Sequence, residues 1–284
     1  MTSVVIPVFN GLHTLPTTAR AVTAMEEVGE LVWVDDGSTD GTSEWLDAEV
    51  ADVPGARVLH LGRNRGRAEA RNAGARATTG EALVFMDADV EPTPRSAARL
   101  AEAAWLSGAV ASVARFDLVV TDPDEPYADY AANHPRGPGQ EIEAGGVVDW
   151  RFFLSGACAV RRSAFERAGG FDTSIQYGED LALGCDLRRL HPDGLRLAGT
   201  TVRLHDIGDL DAALAHAESL GRSLHAVRSK CPDLGTVGLK MAGLADMTYP
   251  LLKHMIRRLP RGRGRRRAVR YLIGATVLRA FRRA

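Results

Sequence analysis

The chain has 284 residues, 45% of them apolar and 25% charged, which suits one large α/β domain or a domain with an appendage and excludes global disorder. No run approaches the roughly 18 apolar residues that a membrane span needs, and the three cysteines form no C-x-x-C pair of the kind a zinc site uses. Net charge is −1, yet residues 247–284 hold 12 Lys and Arg and no Asp or Glu, so the rest of the chain carries 13 excess negative charges and the basic tail asks for an anionic partner.

The N-terminus lacks a basic segment followed by a long apolar stretch, so no signal peptide is expected, and the odd number of widely spaced cysteines suits a reducing, cytoplasmic setting. In chain order, residues 3–8 are a short apolar run of strand type, and residues 12–28 carry Ala and Val at helical spacing. Residues 31–34 form a second apolar run that stops at Asp35-Asp36-Gly37-Ser38. Residues 42–50 read as a helix, 57–61 as a strand, and 67–77, rich in Ala and Arg, as a helix. Residues 82–86 are a fourth strand, closed by Asp87-Ala88-Asp89. Strand and helix alternating at this spacing predict a mostly parallel sheet with helices on both faces. Ligands of such sheets lie beyond the carboxyl ends of the strands. That is where the polar clusters Phe9-Asn10, Asp35-Asp36, Arg63-Asn64 and Asp87 to Asp89 fall.

Beyond Pro94 the pattern changes. Residues 96–107 read as a helix and 110–120 as one or two strands. Residues 121–149, rich in Pro and Gly, read as a loop with the character of a flap. Residues 152–161 read as a strand, and 163–168 as a short helix stopped by Gly169-Gly170. Residues 180–190 read as a helix and 195–204 as a hairpin closing near His205. Residues 212–228 and 238–259 read as helices. After the Pro-Gly-Arg stretch at 260–266, Val269, Leu272, Ile273, Thr276, Val277, Ala280 and Phe281 recur at helical intervals.

Asp87 and Asp89 stand two residues apart just past an apolar strand, a pattern that suits a hard cation such as Mg²⁺ or Mn²⁺. Such a cation offsets the charge that gathers on a diphosphate. Two close aspartates in a solvated turn are the commoner case; the preceding run Leu83 to Met86 favours a site. A carboxylate of the Asp35-Asp36 pair can accept from the N3–H of a uracil or thymine ring, while Thr39 or Asp40 caps the next helix. Among Arg63, Arg65, Arg67, Arg71 and Arg76, one that projects into the crevice could meet a base or a diphosphate, the others forming a solvated face.

These residues carry a resemblance. P-V-F-N from Pro7, V-D-D-G-S-T-D-G-T from Val34, R-N-R-G-x-x-x-A-R-N-x-G from Arg63 and M-D-A-D from Met86 occur in that order. G-A-C-A-V-R-R from Gly156, G-G-F-D from Gly169 and G-E-D-L from Gly178 follow. Together they resemble the family 2 glycosyltransferases of GT-A fold over about residues 2–207. The resemblance implies an α/β, Rossmann-like, mostly parallel central sheet with flanking helices. Residues 1–95 would be the nucleotide-sugar half and 96–207 the acceptor-binding and catalytic half, followed by a helical basic extension at 208–284. It implies inversion by single displacement, with Asp180 as general base. Glu179 and Gly156 would face a hydroxyl acceptor that is a small molecule, a glycan or lipid-linked. Pro7, Val8, Phe9, Asp36, Arg71, Asp87 and Ala88 would hold the nucleotide-sugar donor, with uracil the favoured base. Asp89 and His205 would hold Mg²⁺ or Mn²⁺. The helix from Asp180 lacks a following Q-x-x-R-W, which argues against the processive synthases of the family.

Two rival readings are a nucleotidyltransferase, which would want a Gly-rich phosphate loop after the first strand, and a non-catalytic nucleotide-sugar-binding protein. The basic tail, with its apolar stripe, suits an anionic membrane surface at the inner face. It equally suits packing on the domain or on a second subunit of a homodimer. Its few aromatics argue against nucleic acid.

Overall fold

A computed structural model describes residues 1–133, 141–205, 207–232 and 253–284. The predicted helix at 238–259 lies largely outside the described residues, as does the middle of the predicted flap. The chain divides into two compact units. The first comprises Met1–Asp117, Arg136–Thr173 and Glu179–His205, and the second Leu118–Pro135, Ser174–Gly178 and Asp206–Ala284.

The first unit is built on the apolar runs. Strands β1 (Thr2–Val8), β2 (Glu30–Asp35), β3 (Ala56–His60) and β4 (Ala82–Met86) pair in parallel as β3-β2-β1-β4. Val4, Val5, Ile6 and all of β4 are buried, as continuous apolar runs must be when both faces of a parallel sheet are covered. Strands β5 (Val90–Glu91), β6 (Ala111–Leu118), β7 (Ala157–Arg161) and β8 (Leu195–Leu204) extend the order to β3-β2-β1-β4-β7-β6-β8-β5. Here β7 runs antiparallel to both β4 and β6, and β5 antiparallel to β8. The helices of this unit are α1 (Leu15–Thr23), α2 (Thr42–Val50), α3 (Arg67–Ala77), α4 (Ser96–Ala104), α6 (Arg162–Arg167) and α7 (Glu179–Leu190). The result is a mixed α/β fold whose parallel block is the one read from the alternating runs.

Residues 195–204 form one strand rather than a hairpin. Gly199 keeps an ordinary φ and does not turn the chain, and buried positions alternate through Val202 and Leu204. Gly74, inside α3, is the close contact between that helix and the sheet. A Cβ there would collide with a methyl of Val5 and stand 3.0 Å from Val34 Cγ2. Helix propensity favours alanine at this position by about 1 kcal/mol, but overpacking a filled core costs about 1–3 kcal/mol. Gly74→Ala is therefore expected to lower stability in urea unfolding; a rise would show that α3 can lift off β1 at no cost.

The second unit contains α5 (Pro126–Ala132), α8 (Leu210–Lys230) and α9 (Arg263–Arg283) around Tyr127, Ala131, Leu210, Leu214, Ile256, Val269 and Leu272. Helix α5 lies in the stretch read as loop. Its proline occupies the first turn, where no N–H is missed, and Glu125 caps it by accepting from Ala128 N at 2.7 Å. The other Glu125 oxygen accepts from Leu210 N at 2.8 Å, so one side chain anchors the starts of α5 and α8. The stripe Val269, Leu272, Thr276 and Ala280 is buried, and α9 runs close along α8. A Cβ on Gly221 would stand 2.6 Å from that of Ala280. The stripe is thus occupied within the chain. The buried Arg265 lies 3.0 Å from Asp129, and Arg266 3.1 Å from its other oxygen. Burial alone would raise the Asp129 carboxyl, but the hydrogen bonds and charges of these two arginines hold it below the ordinary range. Among the described residues no helix is long and apolar enough to cross a membrane.

Candidate active site

Parallel pairing brings the ends of β1, β2 and β4 to one edge, with Val8 opposite Asp35. The loops that leave these ends are tied to one another. Asn10, at φ 51°, donates its N–H to Ser38 Oγ at 2.9 Å, and its side-chain oxygen accepts from Thr39 N at 2.8 Å. Gly37, at φ 75°, passes directly against the backbone of Arg63, where a side chain would not fit. Pro7 is half-buried, Val8 is buried, and the Phe9 ring beyond them is 47% exposed.

Asp36 is only 3% exposed. Its two oxygens accept from Arg65 N at 2.7 Å and Gly66 N at 2.8 Å, fastening the loop that leads into α3. Burial pushes its carboxyl above the ordinary value against these hydrogen bonds. Asp35 accepts from Ser38 N, Ser43 Oγ and His60; these contacts outweigh burial and hold it below the ordinary range. The first aspartate of the pair thus braces α2 and β3, and the second braces the entry to α3.

Arg71 connects the two halves of the site. It is 2% exposed, and its Nη2 donates to Asp87 Oδ1 at 2.6 Å while Nη1 donates to Glu179 Oε1 at 2.8 Å. Its guanidinium lies 5.3 Å from the Phe171 ring centroid. The two pairs leave other donors of the guanidinium uncommitted, the buried Nε among them. Burial opposes its charge, but Asp87 and Glu179 prevail and raise its pKa above the ordinary value. The neighbouring Asn72 clamps the backbone of Phe171, donating to its carbonyl at 2.8 Å and accepting from its N–H at 3.0 Å. The R-N and G-G-F-D segments therefore hold one another. Asparagine suits this task because its amide offers an acceptor oxygen and a donor nitrogen side by side to one residue's backbone.

Asp87 is half-buried and Ala88 partly exposed beside it. Gly156 backs directly onto Asp87: its carbonyl accepts from Asp87 N at 3.0 Å, and a Cβ there would stand 2.8 Å from Asp87 Oδ2. Glu179 is buried and Asp180 half-buried, both in the first turn of α7, where the helix dipole favours carboxylates. The helix is seated by Gly184, whose Cα packs against Trp150 O and Phe153. Burial pushes the Asp180 carboxyl up to about 6; the charge of Glu179 adds to this, while Arg71 opposes it.

Asp89 and His205 meet through the β5–β8 pair, His205 N donating to Asp89 O at 3.0 Å. The His205 ring takes Glu91 at 2.6 Å, and Glu91 also takes Arg203 at 3.1 Å. Glu91, in the two-residue strand just past Asp89, was not among the residues read from the sequence. Among the described residues, no group of three or more His, Cys, Asp or Glu gathers as a self-sufficient cation site.

Comparison with known proteins agrees with this architecture. In *Edwardsiella ictaluri* (strain 93-146), an undecaprenyl-phosphate 4-deoxy-4-formamido-L-arabinose transferase is 41% identical over 108 residues, covering 36% of this chain and 33% of that protein. The *Klebsiella pneumoniae* (strain 342) protein of the same name is 38% identical over the same length, with the same coverage. The matched region is thus about a third of the length of these relatives. Among solved structures, *S. aureus* TarS 1-349 with UDP shares the fold at TM-score 0.57 and 16% identity, covering 99% of this chain and 91% of that one. The mannosyltransferase PcManGT from *Pyrobaculum calidifontis*, solved with GDP-Man and Mn²⁺, matches at TM-score 0.58 and 19% identity, covering 97% and 86%. Residues 3–169, more than half of the chain, match the sequence model of Glycosyl transferase family 2, and the protein belongs to that family of glycosyltransferases.

Proposed function

We propose that this glycosyltransferase moves the sugar of a nucleoside-diphosphate sugar, with UDP as the preferred nucleotide, to a hydroxyl acceptor with inversion. Residues 1–95 hold the donor, and 96–207 hold the acceptor and the base. The observation that supports it most is the half-buried Asp180 carboxyl, raised to about 6 beside Glu179 and Arg71. At neutral pH it is ionised, yet it holds a proton better than an ordinary aspartate. The acceptor oxygen attacks the anomeric carbon as the bond to the terminal phosphate oxygen breaks, and the acceptor proton passes to Asp180. The charge developing on the sugar ring is of oxocarbenium type. Glu179 and Gly156 border the acceptor. The exposed Phe9 ring, with Pro7, Val8 and the loop held by Asp36, receives the base, while Asp87 and Ala88 flank the diphosphate.

Asp89 provides a hard oxygen donor, and His205 beside it, its Nε2 held by Glu91 at 2.6 Å, a softer nitrogen. A cation shared with a diphosphate asks only one or two ligands of the protein, so this small set fits Mg²⁺ or Mn²⁺. When bound, such a cation offsets the charge of the leaving diphosphate. Asp89→Ala is expected to remove the gain in nucleotide affinity that Mn²⁺ confers, on the order of 10–100-fold, as judged from the cost of disturbing metal ligation. Calorimetry with and without Mn²⁺ checks this; a gain equal to wild type excludes Asp89 as the ligand.

The relatives' names favour a second reading, a lipid phosphate acceptor. A phosphate arrives already ionised and needs no base. The three carboxylates of Asp87, Glu179 and Asp180, facing only Arg71 and the more distant Arg67, also disfavour it. Nucleotide release from a panel of nucleotide sugars, ranked first by thermal shift with Mn²⁺, tests the whole proposal. Saturable binding without release would leave a binding protein.

A further inference from the structure

The arginines around the start of α9 divide into two sets. Arg265 and Arg266 are engaged by Asp129, Lys253 and Arg257 by Asp211, and Arg261 stands 3.6 Å from Asp124. Arg258, Arg263, Arg267 and Arg270 are exposed, and none of them has an ion-pair partner among the described residues. Arg263, Arg267 and Arg270 are four and three residues apart, so they share one helix face. That face is opposite the buried stripe of Val269, Leu272 and Thr276. The first turn of α9 contains no acidic residue, so these charges add to the positive end of the helix dipole with nothing in the helix to offset them.

We propose that this arginine face docks the chain on an anionic lipid surface by charge alone, with α9 lying along the headgroups and its apolar stripe still packed on α8. Two features select this partner. The stripe is buried, so an amphipathic insertion of the usual kind is unavailable and the contact is with headgroups. Residues 258–270 contain no aromatic side chain, so the stacking that single-stranded nucleic acid needs is absent. The proposal is independent of the donor, the acceptor and the base.

The test is co-sedimentation of the full chain with phosphatidylcholine vesicles, with and without phosphatidylglycerol, and in parallel with duplex DNA. The expected result is binding only when phosphatidylglycerol is present, with release by high salt. Each arginine near such a surface is worth about fivefold in affinity. The triple variant Arg263→Glu, Arg267→Glu, Arg270→Glu removes three such charges and adds three of opposite sign, so it is expected to bind more than about a hundredfold more weakly. The matching Gln variant should lose binding in the same direction, with both variants melting as wild type. The proposal is overturned if the triple variant binds as wild type or if neutral vesicles bind equally well. Binding to duplex DNA without binding to vesicles overturns it too.

Discussion

Asp180→Asn is expected to reduce turnover by about 10²–10⁴-fold, the usual contribution of a general base, while nucleotide affinity stays near the wild-type value. Asparagine keeps the size of the side chain but cannot take the acceptor proton. The wild type carries a second signature. Asp180 titrates at about 6 because burial and the neighbouring Glu179 disfavour its charge. Only the ionised form is a base, so activity is complete above that value and falls as pH drops through it. The Asn variant should lose this acid limb together with the rate. Wild-type turnover that stays flat through pH 6, or near-normal transfer by Asp180→Asn, would remove the base assignment. Normal transfer to a phosphate acceptor combined with loss of transfer to hydroxyls would identify the second reading instead.

The other large effect concerns Arg71. Its guanidinium spans Asp87 and Glu179, and both it and Glu179 are buried. Removing one partner of a buried ion pair costs about 3–5 kcal/mol, because the remaining charge has neither water nor partner. Arg71→Ala is accordingly expected to lower the melting temperature by roughly 10 °C and to abolish transfer. Arg71→Lys retains the charge, but a single ammonium cannot span two carboxylates, so it should recover stability better than rate. The Asp87 side of the pair is reachable by solvent and the Glu179 side is not, so most of the stability loss should come from Glu179. A melting temperature within a degree of wild type in Arg71→Ala would mean that the two halves of the site are held by other contacts, with Asn72 and Phe171 the first to examine.

Local sequence determined most of the first 90 residues. The apolar runs and helical spacings there state burial directly, since each element is bounded by its own polar ends. Residues 67–77 and 82–86 coincide with α3 and β4 to the residue. The clustering of polar residues at the strand ends followed from parallel pairing, which needs only the alternation of strand and helix. Less was legible further along. The short β5, α5 behind its prolines, and the unbroken β8 depend on partners distant in the chain. A two-residue strand exists only because β8 lies beside it, and a strand containing glycine remains straight only when its neighbours leave no room to turn.

The site divides in the same way. Which residue types stand at the crevice could be read from motifs, because carboxylates after buried strands are conspicuous in one dimension. What each does to its neighbour could not. Arg71 and Glu179 are 108 positions apart and Asn72 and Phe171 are 99. The energy of a buried charge is set by what surrounds it in space. The tertiary structure alone showed that Arg71, read as a candidate nucleotide ligand, also links Asp87 at the end of β4 to Glu179 at the start of α7. It likewise favoured one of the two readings of the tail, since the apolar stripe of its last helix packs on α8 while Arg263, Arg267 and Arg270 stay exposed.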